Sequence, residues 1–151
     1  MRTRQGENLK KYNYLYRKMD DFYRLAAQKS GLSDSAFWIL YTICEYGNGC
    51  LQRDVCNTFY VNKQTVHSSV RRLEEGGYLY LKSGKGRDKH IFLTEAGERL
   101  IEEKIAPFVA VENAALKELG ERETDEMLRL TERYLEQLSA QYEKMVHGGQ
   151  K

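Results

Sequence analysis

The side chains able to do chemistry in this chain gather between residues 62 and 94, and their types suit recognition rather than catalysis. Lys63, Gln64, His67, Ser68 and Arg71 fall on one side of a helical repeat, with Val66, Val70 and Leu73 on the other. An amide such as that of Gln64 matches the donor and acceptor on the edge of adenine. A guanidinium such as that of Arg71 matches guanine or a phosphate. Thr65 and Ser68 can reach bases or phosphates, and His67 is a further candidate for either. Downstream, SGKGRDK places Lys85, Arg87 and Lys89 on a glycine-loosened loop. Such a loop is thin enough to follow a backbone or enter a minor groove, where arginine favours narrow A·T-rich tracts. No Ser-His-Asp set, phosphate loop or carboxylate pair is recognisable. His67, His90 and His147 show no ligand spacing with one another or with the cysteines, so no enzyme activity, metal or cofactor is expected.

Positioning these residues takes a helix followed by a hairpin. Asn62 is a good N-cap, the helix should run to about Glu75, and Gly76 and Gly77 should end it. Residues 78–82 alternate aromatic and aliphatic, as a strand does, and residues 90–93 read as the returning strand, with His90 in a structural role. Ahead of them, Leu51, Val55, Cys56 and Phe59 make a short amphipathic helix, and a break at residues 60–61 follows. Two short helices joined by a tight turn place the second in a major groove.

Longer helices flank this unit. Residues 8–29 carry an apolar stripe including Leu9, Tyr12, Leu15, Tyr16, Met19, Phe22 and Tyr23, which Gly31 should stop. Ser33 should cap a central helix bearing Phe37, Trp38, Leu40, Tyr41 and Cys44 and ending at Gly47, after which GNGC reads as a turn. Thr94 should cap a helix reaching about Leu119, kinked or broken by Pro107. Beyond Gly120 a last helix spans about 121–146, and HGGQK reads as a frayed tail.

The bulk numbers agree. With 151 residues, 41% hydrophobic and 30% charged, the chain is globular and of single-domain size. Its net charge of +2 demands no nucleic acid, but the distribution is uneven. Residues 1–60 hold nine Lys/Arg against six Asp/Glu, residues 61–90 seven against three, and residues 91–151 eight against thirteen. A basic middle beside an acidic tail indicates a local phosphate-facing surface. No stretch is apolar enough to span a bilayer, and MRTRQGENLKKY lacks the apolar core of a secretory signal. Three cysteines without a CxxC fit a reduced, cytoplasmic chain.

Taken together, these segments resemble the MarR family of winged-helix transcriptional regulators over nearly the whole chain. GLSDSAFWILYTI is similar to the family's second helix, and LQRDVC stands where a TQ-DLA helix opening is usual. KQTVHSSVRRLEEGGYL matches the recognition helix and its exit, and GRDKHIFLTEAGERL the returning strand and the LTEKG cap. One departure concerns the wing, where the family pattern is Asp-x-Arg. The arginine falls on Arg87, but Lys85 occupies the aspartate position, which leaves two alternatives: Asp88 as a substitute brace, or a looser wing.

The resemblance implies a mainly α fold with a small β-wing (α+β). A winged-helix lobe at 33–93 would be joined to a helical dimerisation region at 8–31 and 94–146, intertwined with that of a second copy, all within a single domain of residues 1–151. It implies a homodimeric, sequence-specific double-stranded DNA-binding regulator, a ligand-released repressor whose two recognition helices meet successive groove faces of a pseudo-palindrome about 34 Å apart. The flanking apolar stripes point the same way, because unpaired they would leave an apolar face in water. Tyr12, Tyr16 and Tyr23 are expected to pack in that dimer core. The sharper alternative is a tyrosine-lined cavity for a small aromatic effector. Two other functions compete: a winged-helix module whose wing contacts protein, and a cysteine-based redox sensor. For the latter Cys50 is the best candidate for exposure, since Cys44 and Cys56 fall on apolar faces.

Overall fold

The computed structural model describes residues 4–58, 63–86 and 88–148. Asn62, the break at residues 60–61 and Arg87 therefore lie outside the described residues, as does the side chain of Lys63. The chain divides into two compact units, Met1–Phe108 and Val109–Lys151.

The first unit runs α1 (Glu7–Ser30), α2 (Asp34–Tyr46), α3 (Gln52–Thr58), α4 (Lys63–Glu75), β1 (Leu79–Ser83), β2 (Lys89–Leu93) and α5 (Glu95–Lys104). Its core is organised around α2, which buries Phe37, Ile39, Leu40 and Ile43. Val55 from α3, Val66, Val70 and Leu73 from α4, and Leu79 and Ile91 from the strands complete it. The punctuation is the expected one. Gly31 takes a left-handed φ of 75° after α1, and the Ser33 hydroxyl accepts from the Ala36 amide at 3.3 Å to start α2. Thr94 accepts from the Gly97 amide at 3.1 Å to start α5, while its own hydroxyl donates to the Gly77 carbonyl at 2.7 Å. That second bond ties the exit of α4 to the start of α5.

The glycine of that cap has a steric reason. A Cβ on Gly97 would lie 1.9 Å from the Tyr78 carbonyl oxygen, so only a residue without one lets α5 approach the strand this closely. The strands pair antiparallel, Leu79 opposite Leu93 and Leu81 opposite Ile91. This puts the aliphatic residues on the core face and Tyr80, Phe92 and Lys82 on the other. There the Tyr80 and Phe92 rings stack at 5.6 Å with the Lys82 ammonium 4.8 Å from the Phe92 centroid.

GNGC does more than turn. The Gly49 amide donates to the Ile91 carbonyl at 2.8 Å and the Ile91 amide to the Cys50 carbonyl at 2.9 Å, so residues 49–51 line the free edge of β2. This overturns the expectation of an exposed Cys50: its partial strand turns the thiol into the core, at 8% exposure, while Cys44 is the exposed cysteine. Burial, with the Asp54 carboxylate adding to it, pushes the Cys50 thiol up to about 11. A thiol so protonated at neutral pH is a poor redox sensor.

The helix expected from Thr94 to about Leu119 is two, α5 and α6 (Ala106–Leu119), parted at the buried Ile105. Pro107 is the cause, because it has no N–H for the carbonyl of the preceding turn and its ring crowds that turn. Phe108 joins an aromatic cluster with Phe22, Tyr23, Phe37 and Tyr41, at centroid distances of 5.5, 5.7, 5.7 and 6.0 Å. Tyr23 thus packs within its own chain, whereas Tyr12 and Tyr16 are exposed.

In the second unit Gly120, at φ 90°, separates the end of α6 from α7 (Glu121–His147). Among the described residues of α7 none is buried. Met127, Leu130, Tyr134, Leu138, Tyr142 and Met145 form a stripe on it, and all are exposed.

Candidate nucleic-acid interface

α4 holds the site because its two faces differ. Val66, Val70 and Leu73 are buried, and so is Ser69, whose hydroxyl lies 2.7 Å from that of Ser35 on α2. This leaves Gln64, Thr65, His67, Ser68 and Arg71 exposed on the outer side, where the helical repeat places them. Their local bonds are light. Ser68 donates to the Thr65 carbonyl at 2.9 Å, and Arg71 donates to Glu75 at 2.8 Å across one turn. An exposed pair of this kind is worth only about 0–1 kcal/mol, so Arg71 can exchange it for a phosphate or a guanine edge at little cost.

The wing supplies the rest. Its tip closes with the Gly84 amide donating to the Asp88 carbonyl at 2.8 Å and the Asp88 amide to the Lys85 carbonyl at 3.3 Å, with Gly86 at a φ of 67°. Lys85 and Lys89 are exposed. The Asp88 carboxylate is 3.2 Å from Arg53 on α3, so the acid expected to brace the wing arginine ties the wing to α3. His90 is structural, as expected, with its Nδ1 2.8 Å from the Gly49 carbonyl.

Two residues were missed by sequence reasoning. Gln52, buried at the start of α3, places its Nε2 3.0 Å from Nδ1 of His67, and Arg53 follows it with the bond to Asp88. The signal available was LQRDVC, but a helix opening by itself does not say which element its side chains meet. A groove of about 160 Å³ between α3, α4 and the wing is lined by Gln52, Arg53, Cys56, His67, Asp88 and Lys89. Among the described residues no cluster of His, Cys, Asp or Glu could hold a metal, and no helix is long and apolar enough to cross a membrane.

Two consecutive helices, α3 and α4, the second with an exposed polar face, followed by a basic two-stranded hairpin, define a winged helix-turn-helix protein. Residues 30–87, which carry both helices and most of the hairpin, match the model of the MarR family. The HTH-type transcriptional regulator YwoH of Bacillus subtilis is 25% identical over 132 residues, covering 82% of this chain and 96% of that protein. The structure of S. aureus MepR in complex with DNA superposes with a TM-score of 0.64 at 25% identity, over 84% of this chain and 97% of MepR. A MarR family regulator from Listeria monocytogenes complexed with 26mer DNA gives 0.65 at 21% identity, over 95% and 97%. The chain is thus similar to MarR family transcriptional regulators, in sequence over residues 30–87 and in fold over most of its length.

Proposed function

We propose that this regulator is a homodimer that binds a pseudo-palindromic duplex and represses transcription until a small ligand releases it. The observation that carries the DNA reading is the two-sided α4: its apolar face is buried within the lobe while Gln64, Thr65, His67, Ser68 and Arg71 stand exposed. In this reading Gln64 and Arg71 read base edges in the major groove. Asn62, Lys63, Thr65 and Ser68 fix the register on phosphates or bases. Lys85, Arg87 and Lys89 follow the adjacent backbone or minor groove. Two relatives in DNA complexes, MepR and the Listeria regulator, support duplex DNA as the partner.

The exposed stripes support dimerisation. α1 presents Leu9, Leu15, Tyr16 and Met19, and α7 presents Met127, Leu130, Leu138, Tyr142 and Met145. Faces this apolar call for a second copy in water. Release by a ligand would follow from any change in the spacing of the two recognition helices, since contacts on both half-sites fail together. A hollow of about 280 Å³ beside Tyr23 and Trp38 is also lined by Asp20, Asp21, Arg24 and Asp34, so an aromatic effector held there would need polar or cationic groups to meet the carboxylates.

Selection from a random duplex pool tests the reading. The expected product is one inverted repeat, bound with a salt slope of about −0.9 per neutralised phosphate. A protein that enriches no sequence and binds duplexes without salt dependence would instead be a module whose wing contacts protein.

A further inference from the structure

We propose that Gln52 is a positioning residue that fixes the tautomer of His67, so that the recognition helix presents an Nε2–H donor to DNA. The inference rests on the DNA-binding reading above for its consequence, but not for its geometry. Gln52 is the first residue of α3 and only 6% exposed, and its predecessor Leu51 is bridged to His90 of β2, so its backbone is held at the base of the wing. Its side-chain Nε2 lies 3.0 Å from His67 Nδ1. With its amide nitrogen turned to the ring Gln52 donates and Nδ1 accepts, and a neutral imidazole in that arrangement carries its proton on Nε2. His67 is exposed one turn from both Gln64 and Arg71, on the face assigned to base reading.

The consequence is specificity. A free imidazole offers a donor in one tautomer and an acceptor in the other, and so discriminates poorly between guanine or thymine acceptors and the amino groups of adenine or cytosine. A ring held in the Nε2–H form favours acceptors. The other polar groups of the groove, Arg53, Asn57, Asp88 and Lys89, belong to α3 and the wing; Arg53 and Asp88 are paired with each other at 3.2 Å, and the hydrogen bond at the His67 ring comes from Gln52. The bond from Gln52 is thus the one that selects the ring's proton position.

Nitrogen-15 spectra of the imidazole in the free protein, at a pH where the ring is neutral, read the tautomer without DNA. The wild type should show an unprotonated Nδ1 and a protonated Nε2. Gln52→Met, which keeps the bulk and loses the donor, should give a tautomer mixture, and Gln52→Glu, which can only accept, should move the proton to Nδ1. Against the duplex chosen by the wild type, Gln52→Met should weaken binding about three- to tenfold while leaving random-sequence duplex almost unchanged. His67→Ala should cost a similar factor, and the double variant no more than either alone. A protonated Nδ1 in the wild type overturns the proposal. So does an unchanged ratio of specific to random binding in Gln52→Met. If Gln52→Met fails to fold, the Gln52→Glu spectrum and its selected duplex decide, and an unmoved proton with an unmoved base preference overturns it. A wild type that prefers no duplex removes both the DNA reading and the base-reading role of His67, whatever its tautomer.

Discussion

α4 and α7 are both strongly amphipathic helices, and they dispose of their apolar faces differently. α4 buries Val66, Val70 and Leu73 against its own lobe, so its polar face is available and its position is fixed. α7 is 27 residues long, and none of its described residues is buried. The lesson is that amphipathicity alone does not say what a helix packs against. An apolar stripe satisfied inside the chain makes a platform for the opposite face. One left in water asks for a partner.

That contrast can be broken by experiment. The largest effect should come from charging the α7 stripe with Leu130→Glu and Leu138→Glu together. The sedimentation mass should fall to that of one chain and binding to the selected inverted repeat should weaken about 100-fold or more, because two tethered half-sites become two independent ones. A mass of two chains for that variant would remove α7 from the interface. The lobe should fail in another way. Gly97→Ala sets a Cβ against the Tyr78 carbonyl and should destabilise the fold by about 2–4 kcal/mol, lowering the melting temperature by about 5–10 °C in a thermal scan.

Smaller effects separate the two parts of the interface. Arg87→Ala should weaken binding to every duplex by about tenfold at moderate salt and reduce the salt slope by about one, as measured by mobility shift. Gln64→Ala should instead change which site is preferred, and equal losses on all sequences would assign Gln64 to the backbone. The smallest effect concerns Cys50. Its thiol is raised from 9.0 to about 11 in the fold, so the folded state holds the proton more tightly than the unfolded chain. The resulting stability is complete below pH 9 and is lost as pH rises towards 11. Denaturant melts of the wild type should show that decline, and Cys50→Ala should flatten it. At neutral pH a thiol reagent should label Cys44 ahead of Cys50 and Cys56.

Much of this was legible in the residues. Ser33 and Thr94 announce their helices because a hydroxyl before a helical run satisfies an orphan amide, and Gly31, Gly77 and Gly120 announce ends because they take left-handed or extended positive-φ geometry. Pro107 announced the break between α5 and α6 by the missing donor. The candidate face of α4 was readable because Val66, Val70 and Leu73 mark its inside at helical spacing.

What the sequence by itself determined, then, is where most of the helices and the two wing strands lie and which side of α4 faces outward. These depend on bonds spanning three or four residues and on a period of 3.6. What only the tertiary structure decided is which distant groups meet. The strand-like edge at residues 49–51 buries Cys50, Asp88 finds Arg53 35 residues away, and Gln52 finds His67. No periodicity encodes such meetings, because they follow from how α3 packs against α4 and the wing. That packing settles which side of His67 is held.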